Sequence, residues 1–186
     1  NDIQIKAQAE ITRSQLFAAQ AVEARLLAER DSHREIIFPA EQLAQQNDPR
    51  VANNIIIQNQ LFSSRRLALQ HEIAGLDESI AGQKVQLHGL EASKVSKNQQ
   101  LKFLEEQLVN MRDLSTDGFV PRNRVLDLER TYTQLTGEIS ADIGNIGRTQ
   151  RQIAELEQRR IQRQQEYQKE VRQQLSDIKR EAESLK

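Results

Sequence analysis

The feature that most constrains this chain is a double stripe of apolar residues through its centre. One stripe, at intervals of seven, is Phe62, Leu69, Leu76, Gln83, Leu90, Lys97, Leu104 and Met111. The other is Arg66, Ile73, Ile80, Leu87, Lys94, Leu101 and Leu108. Eleven of these fifteen positions are apolar, and a 4-3 rhythm held over about seven heptads is the seam of a coiled coil rather than one face of a helix in a globule. Asp48 supplies an N-cap and Pro49 a first-turn proline, so the helix is predicted to begin near Pro49 and to run over 49–114.

After a break at Thr116-Asp117-Gly118, within a turn predicted over 115–121, Pro121 opens a second stretch with the same rhythm. Its stripe is Val125, Leu128, Tyr132, Leu135, Ile139, Asp142, Ile146, Thr149, Ile153, Leu156 and Arg160. The phase shifts by one near Gln164, a stutter of the kind that changes supercoil winding locally. Tyr167, Val171, Leu175, Ile178, Ala182 and Leu185 then carry the stripe through a return limb over 122–186. Two long helices around one short turn predict an antiparallel hairpin of about 60 residues per limb, roughly 90 Å long at 1.5 Å per residue. Placing Met111 opposite Val125 reflects the sequence through Gly118. Leu108 then faces Leu128, Leu104 faces Tyr132, Ile80 faces Leu156 and Leu69 faces Tyr167. The polar intruders also match, Lys94 opposite Asp142 and Arg66 opposite Glu170, which predicts two register-setting charge pairs.

The first third, 1–36, reads as a separate helix rich in Ala, Gln and Glu, with Ile11, Ala18, Val22, Leu26 and Arg25 along one face. A break over 37–48, containing Pro39, separates it from the hairpin. It either prolongs the outgoing limb or folds beside the hairpin base as a third helix. Gly75, Gly82 and Gly89 repeat every seven residues, and Gly137, Gly144 and Gly147 lie on the return limb. Each costs about 1 kcal/mol relative to Ala in a helix. They mark either a smooth stripe where another helix or protomer approaches, or tolerated flexibility in a very long helix. The fold class expected is all-α: a long antiparallel coiled-coil hairpin with an additional N-terminal helix.

Composition agrees with a seam rather than a thick core. Of 186 residues, 37% are hydrophobic and 4% aromatic, and the 25 glutamines far outnumber the 7 glycines and 3 prolines. The net charge of -1 offers no field for nucleic acid or an anionic membrane surface. Apolar runs such as Ile36-Ile37-Phe38 fall far short of the roughly 20 residues of a membrane span. Neither nucleic-acid binding nor membrane contact is expected. The chain starts at Asn1 without a Met and ends in helical-looking sequence, which reads as an internal piece of a longer protein.

Chemistry finds no purchase in this pattern. There is no Cys, and His33, His71 and His88 are far apart with no metal-ligand spacing. The glycines sit singly in helical patterns rather than in a phosphate loop, and the serines have no nucleophile-elbow context. No enzymatic activity, metal or cofactor is expected. The turn is different, because Leu114-Ser115-Thr116-Asp117-Gly118-Phe119-Val120-Pro121 places Phe119 and Val120 at the end of a hairpin where little remains to cover them. They either cap the seam or form a docking surface for a partner, helped by Arg122 and Arg124.

These segments resemble the periplasmic adaptor, or membrane fusion, proteins of type I secretion systems. The likeness is to the haemolysin D type, and especially to the branch that exports proteases and lipases. The resemblance rests on Glu23-Ala24-Arg25-Leu26-Leu27-Ala28-Glu29-Arg30, Ile37-Phe38-Pro39, Asp48-Pro49-Arg50-Val51, Gln60-Leu61-Phe62-Ser63-Ser64-Arg65-Arg66, and Gly118-Phe119-Val120-Pro121 leading into Leu126-Asp127-Leu128-Glu129-Arg130. It implies a hairpin crossing the periplasm between an inner-membrane ABC transporter and a TolC-like outer-membrane channel. It also implies a protein anchored in the inner membrane of a Gram-negative bacterium and assembled as a homo-oligomeric ring. The membrane anchor and the lipoyl and β-barrel regions of that family lie outside the 186 residues. Adaptors of related efflux pumps carry a tip pattern Arg-Leu-x5-Leu-x6-Ser. Leu108 and Leu114 match its leucines, whereas Gln107 and Pro121 replace its Arg and Ser, which favours a type I secretion adaptor. The tip residues so implicated in partner binding are Leu108, Leu114, Gly118, Phe119, Val120, Pro121, Arg122 and Arg124. The alternatives are an adaptor of a multidrug efflux pump, or a coiled-coil spacer arm such as that of a chromosome-maintenance ATPase.

Overall fold

A computed structural model describes residues 2–186, in which the regular elements are four helices in the order α1 (Asp2–Arg30), α2 (Ala40–Ala44), α3 (Pro49–Thr116) and α4 (Arg122–Ser184). There is no strand among the described residues. The helices divide into two compact units. One comprises the described residues up to Gly75 together with Arg160–Lys186; the other is Leu76–Arg159.

The first unit is a three-helix base, so α1 lies beside the start of α3 and the end of α4. Its C-terminal half does the packing. Leu26, fully buried, sits among Tyr167, Val171 and Leu175 of α4, while Ala21 and Ala24 pack with Phe38 after the helix. Alanine at these positions removes side-chain bulk and lets the helices approach closely. Ile11, placed on this face by its spacing, is exposed instead, because α1 is buried only from Phe17 onward.

α1 stops at Arg30, short of the expected limit at 36. Ser32 takes a left-handed φ of 54°, His33 N–H donates to Ala28 C=O at 2.9 Å and Ser32 N–H to Glu29 C=O at 3.4 Å. These are the two bonds of a Schellman motif, here with Ser in the position usually held by Gly. The connecting segment is not wholly irregular, since α2 forms within it. Gln42 of α2 is fully buried and its side-chain amide donates to Phe17 C=O at 3.1 Å, tying the connection to α1.

α3 begins where its capping chemistry dictates. Asp48 Oδ1 accepts from Arg50 N–H at 2.9 Å, and Pro49 occupies the first helical position, where its missing N–H costs nothing. The Arg50 guanidinium beside Asp48 holds that carboxyl below its ordinary range.

The base also contains a buried ionic cluster. Glu29, whose side chain is wholly buried, meets Arg25 at 2.6 Å and Arg65 of α3 at 3.2 Å. Arg25 Nε donates to Gln58 Oε1 at 2.7 Å, and Arg65 lies over the Tyr167 ring, 5.5 Å from its centroid. Burial, followed by the nearby Glu29 charge, raises the Tyr167 phenol above its ordinary value. A carboxylate removed from water survives because two guanidiniums surround it.

The second unit is the hairpin formed by the distal part of α3 and the proximal part of α4. Ile80, Leu108, Val125, Leu135, Ile139 and Ile153 are its buried apolar residues, all on the heptad stripes. Ion pairs flank the seam, Lys84 with Glu157 at 3.2 Å and Arg112 with Glu129 at 2.9 Å.

The two charge pairs expected from reflection through Gly118 form with neighbouring residues instead. Asp142 binds Lys97 at 2.9 Å and accepts from Ser93 Oγ at 3.0 Å, not from Lys94. Glu170 meets Arg65 at 3.8 Å, whereas Arg66 reaches the Arg34 carbonyl at 3.4 Å. The reason is the geometry of a coiled coil: a seam residue drops into a hole between residues of the partner helix rather than facing one of them. Asp142 enters between Ser93 and Lys97. The Lys97 hydrogen bond, then that of Ser93, draws the Asp142 carboxyl below its ordinary range.

Candidate functional site

The turn between α3 and α4 is built by helix termination. Gly118 has φ 81°, Phe119 N–H donates to Leu114 C=O at 2.9 Å, and Gly118 N–H donates to Ser115 C=O at 3.1 Å. This is a second Schellman motif, now with the glycine that the left-handed conformation favours. Pro121 then precedes α4, and its carbonyl accepts from Arg124 N–H at 3.1 Å. These bonds tie the end of α3 to the turn through the N–H groups of Gly118 and Phe119.

Its side chains are presented outward. Phe119 is 79% exposed. Leu114 is also exposed, at 42%, as are Gly118, Pro121, Arg122 and Arg124, while Val120 is half-buried. Leu108 corrects the expectation for this group: at 4% exposure it is buried on the heptad stripe. It supports the hairpin below the turn and has no face to offer a partner. The tip thus places an apolar pair, Leu114 and Phe119, on a turn flanked by two guanidiniums.

Among the described residues no group of His, Cys, Asp or Glu could hold a metal ion, and His33, His71 and His88 are all exposed. No helix among the described residues is long and apolar enough to cross a membrane. A cavity of about 330 Å³ in the first unit is lined by Phe62, Leu69, Tyr167, Arg66 and His33 among others, and by Glu29 of the ionic cluster.

Of that cluster, Glu29, Gln58 and Arg65 are missed at the sequence level, whereas the spacing places Arg25 on one face with Leu26 and Tyr167 on the return stripe. Arg65 and Glu29 lie in the segments that carry the family resemblance, but their charge gives them the look of solvated positions. The available signal was spacing: Arg25 and Glu29, four apart, flank Leu26 on the buried face of α1.

Known proteins share this architecture. A family described as AprE, long alpha-helical hairpin, matches residues 5–186. The alkaline protease secretion protein AprE of Pseudomonas aeruginosa is 34% identical over 167 residues, 90% of this chain and 39% of that protein. The proteases secretion protein PrtE of Dickeya chrysanthemi is 36% identical over 178 residues, 96% of this chain and 40% of its own length. The chain therefore spans about two fifths of these curated relatives. The crystal structure of the soluble domain of LipC, a membrane fusion protein of a type I secretion system, matches with a TM-score of 0.94 at 41% identity. That match covers 100% of this chain and 87% of the LipC chain. With the hairpin, its turn and nearly every residue matched, the chain belongs to the AprE family of long α-helical hairpins.

Proposed function

We propose that this chain is the arm of a periplasmic adaptor in a type I protein secretion system, and that its tip docks on a TolC-like outer-membrane channel. The observation that carries the reading is the exposure of Phe119, at 79%, on a turn whose backbone is already closed by the Gly118 Schellman motif. A residue needed only to finish the seam would be covered by it; Phe119 is left to water, together with Leu114, at the position where a partner can meet the hairpin end-on. The relatives support the same role, since those named are secretion proteins for proteases and a membrane fusion protein. An inner-membrane ABC transporter is engaged through regions beyond these 186 residues, and several adaptors surround the export path as a ring. The protease-secretion names of the relatives favour a polypeptide cargo over the small molecules of an efflux pump.

The test is Phe119→Asp in the full-length protein. Secretion of the cognate polypeptide should be lost while helicity by circular dichroism is unchanged, because the substituted side chain makes no buried contact. Normal secretion by this variant would leave the tip with no task beyond turning the chain, the property of a spacer arm.

A further inference from the structure

Within the hairpin unit, the seam has a weak stretch. Between Ile80 and Leu108 no apolar side chain of α3 is buried, and between Ile139 and Ile153 the buried residues of α4 are Asp142 and Thr149. Leu87, Leu90 and Ile146 are only half-buried there. Gln83 occupies a seam position with its side-chain carbonyl buried and without a hydrogen bond. Above and below this stretch the stripes bury aliphatic residues; inside it they carry Gln83, Lys94, Lys97, Asp142 and Thr149.

The same stretch contains Gly82, Gly89, Gly144 and Gly147, and a Cβ added at any of them would meet nothing within 4 Å. Packing inside the chain therefore does not demand glycine at these positions, although each is a poor helix former. Segments with few buried apolar contacts open at low free energy, and long helices bend where glycines interrupt them. One element resists this loosening. Lys97 bonds Asp142 at 2.9 Å and lies 3.8 Å from Glu138, while Ser93 adds a second bond to Asp142.

We infer that residues 82–98 of α3 and 138–150 of α4 form a flexible joint in the hairpin, in which the Ser93–Asp142–Lys97 contacts hold the register while the surrounding seam bends. The joint lets the tip-bearing segment change direction without sliding one helix along the other. Such bending does not depend on which partner the tip meets.

Hydrogen–deuterium exchange on the 186-residue chain tests it. Amides of 82–98 and 138–150 should exchange at least about tenfold faster than those of 101–112 and 125–136, where the stripes are apolar. In Gly82→Ala, Gly89→Ala and Gly144→Ala, singly, exchange in the stretch should slow by about fivefold per substitution, with little change elsewhere. Uniform protection along both limbs would overturn the joint, and so would indifference to the alanine substitutions. Protection of this stretch that rises with protein concentration would also overturn it, by showing that a second copy covers the glycine faces.

Discussion

Arg65 of α3 reaches the wholly buried carboxylate of Glu29 on α1 at 3.2 Å, joining two helices that the sequence leaves free to separate after Pro39. The contact places α1 beside the first part of α3. Removing the anion should therefore strand Arg25 and Arg65 together. Breaking a buried pair typically costs about 3–5 kcal/mol, and Glu29→Ala is expected to lose about 3 kcal/mol in urea unfolding followed at 222 nm. A loss below about 1 kcal/mol would mean that water already reaches the cluster.

The Asp142 carboxyl sets a pH dependence. Its pKa lies below the ordinary value of 3.8 because Lys97 and Ser93 hold the charged form, so its contribution to stability is complete above the unfolded-state value and is lost as pH falls through the lower folded-state value. Asp142→Asn should be less stable than the parent at pH 7, and the two urea midpoints should converge as the pH falls from neutrality through the lowered folded-state value. A constant difference across that range would contradict the assignment.

The same substitution should have opposite signs at two glycines. At Gly118, with φ 81°, an alanine must occupy a left-handed conformation, and Gly118→Ala is expected to cost about 1 kcal/mol. At Gly89 a new Cβ meets nothing within 4 Å, and Gly89→Ala is expected to stabilise by about 0.5–1 kcal/mol. Thermal midpoints moving down for the first and up for the second would check both.

Cysteine pairs measure the register. Because the Ser93 hydroxyl and the Asp142 carboxylate meet at 3.0 Å, Ser93→Cys with Asp142→Cys should oxidise to an intrachain disulfide in mild copper phenanthroline. Gln86→Cys with Asp142→Cys, one heptad displaced, should not. The reverse result on a non-reducing gel would place the helices in another register.

What could be read from the sequence was whatever repeats. The hairpin followed from a 4-3 rhythm because burying such a stripe in water requires a second one, and the turn followed from Gly118 and Pro121 because each restricts what the backbone can do. Single side-chain encounters were harder. Lys94 and Lys97 are both seam lysines, and choosing between them requires knowing that Asp142 enters a gap between Ser93 and Lys97. Leu108 satisfied a tip pattern and a seam pattern at once, and the seam took it. Glu29 and Gln42 were hidden for a different reason: polar residues read as solvated until a third helix covers them, and nothing in local periodicity announces that helix.

Asp142 also defines which misalignments the hairpin excludes. A slip of one heptad would replace Lys97 by Leu90 in one direction or by Leu104 in the other, setting a leucine where the lysine now meets the carboxylate. Leucine pairs alone would accept either slip, since aliphatic stripes are nearly periodic. The one acidic seam residue therefore works as an index mark: it adds little to adhesion between the helices, but it makes one alignment distinguishable from its neighbours as the limbs zip together.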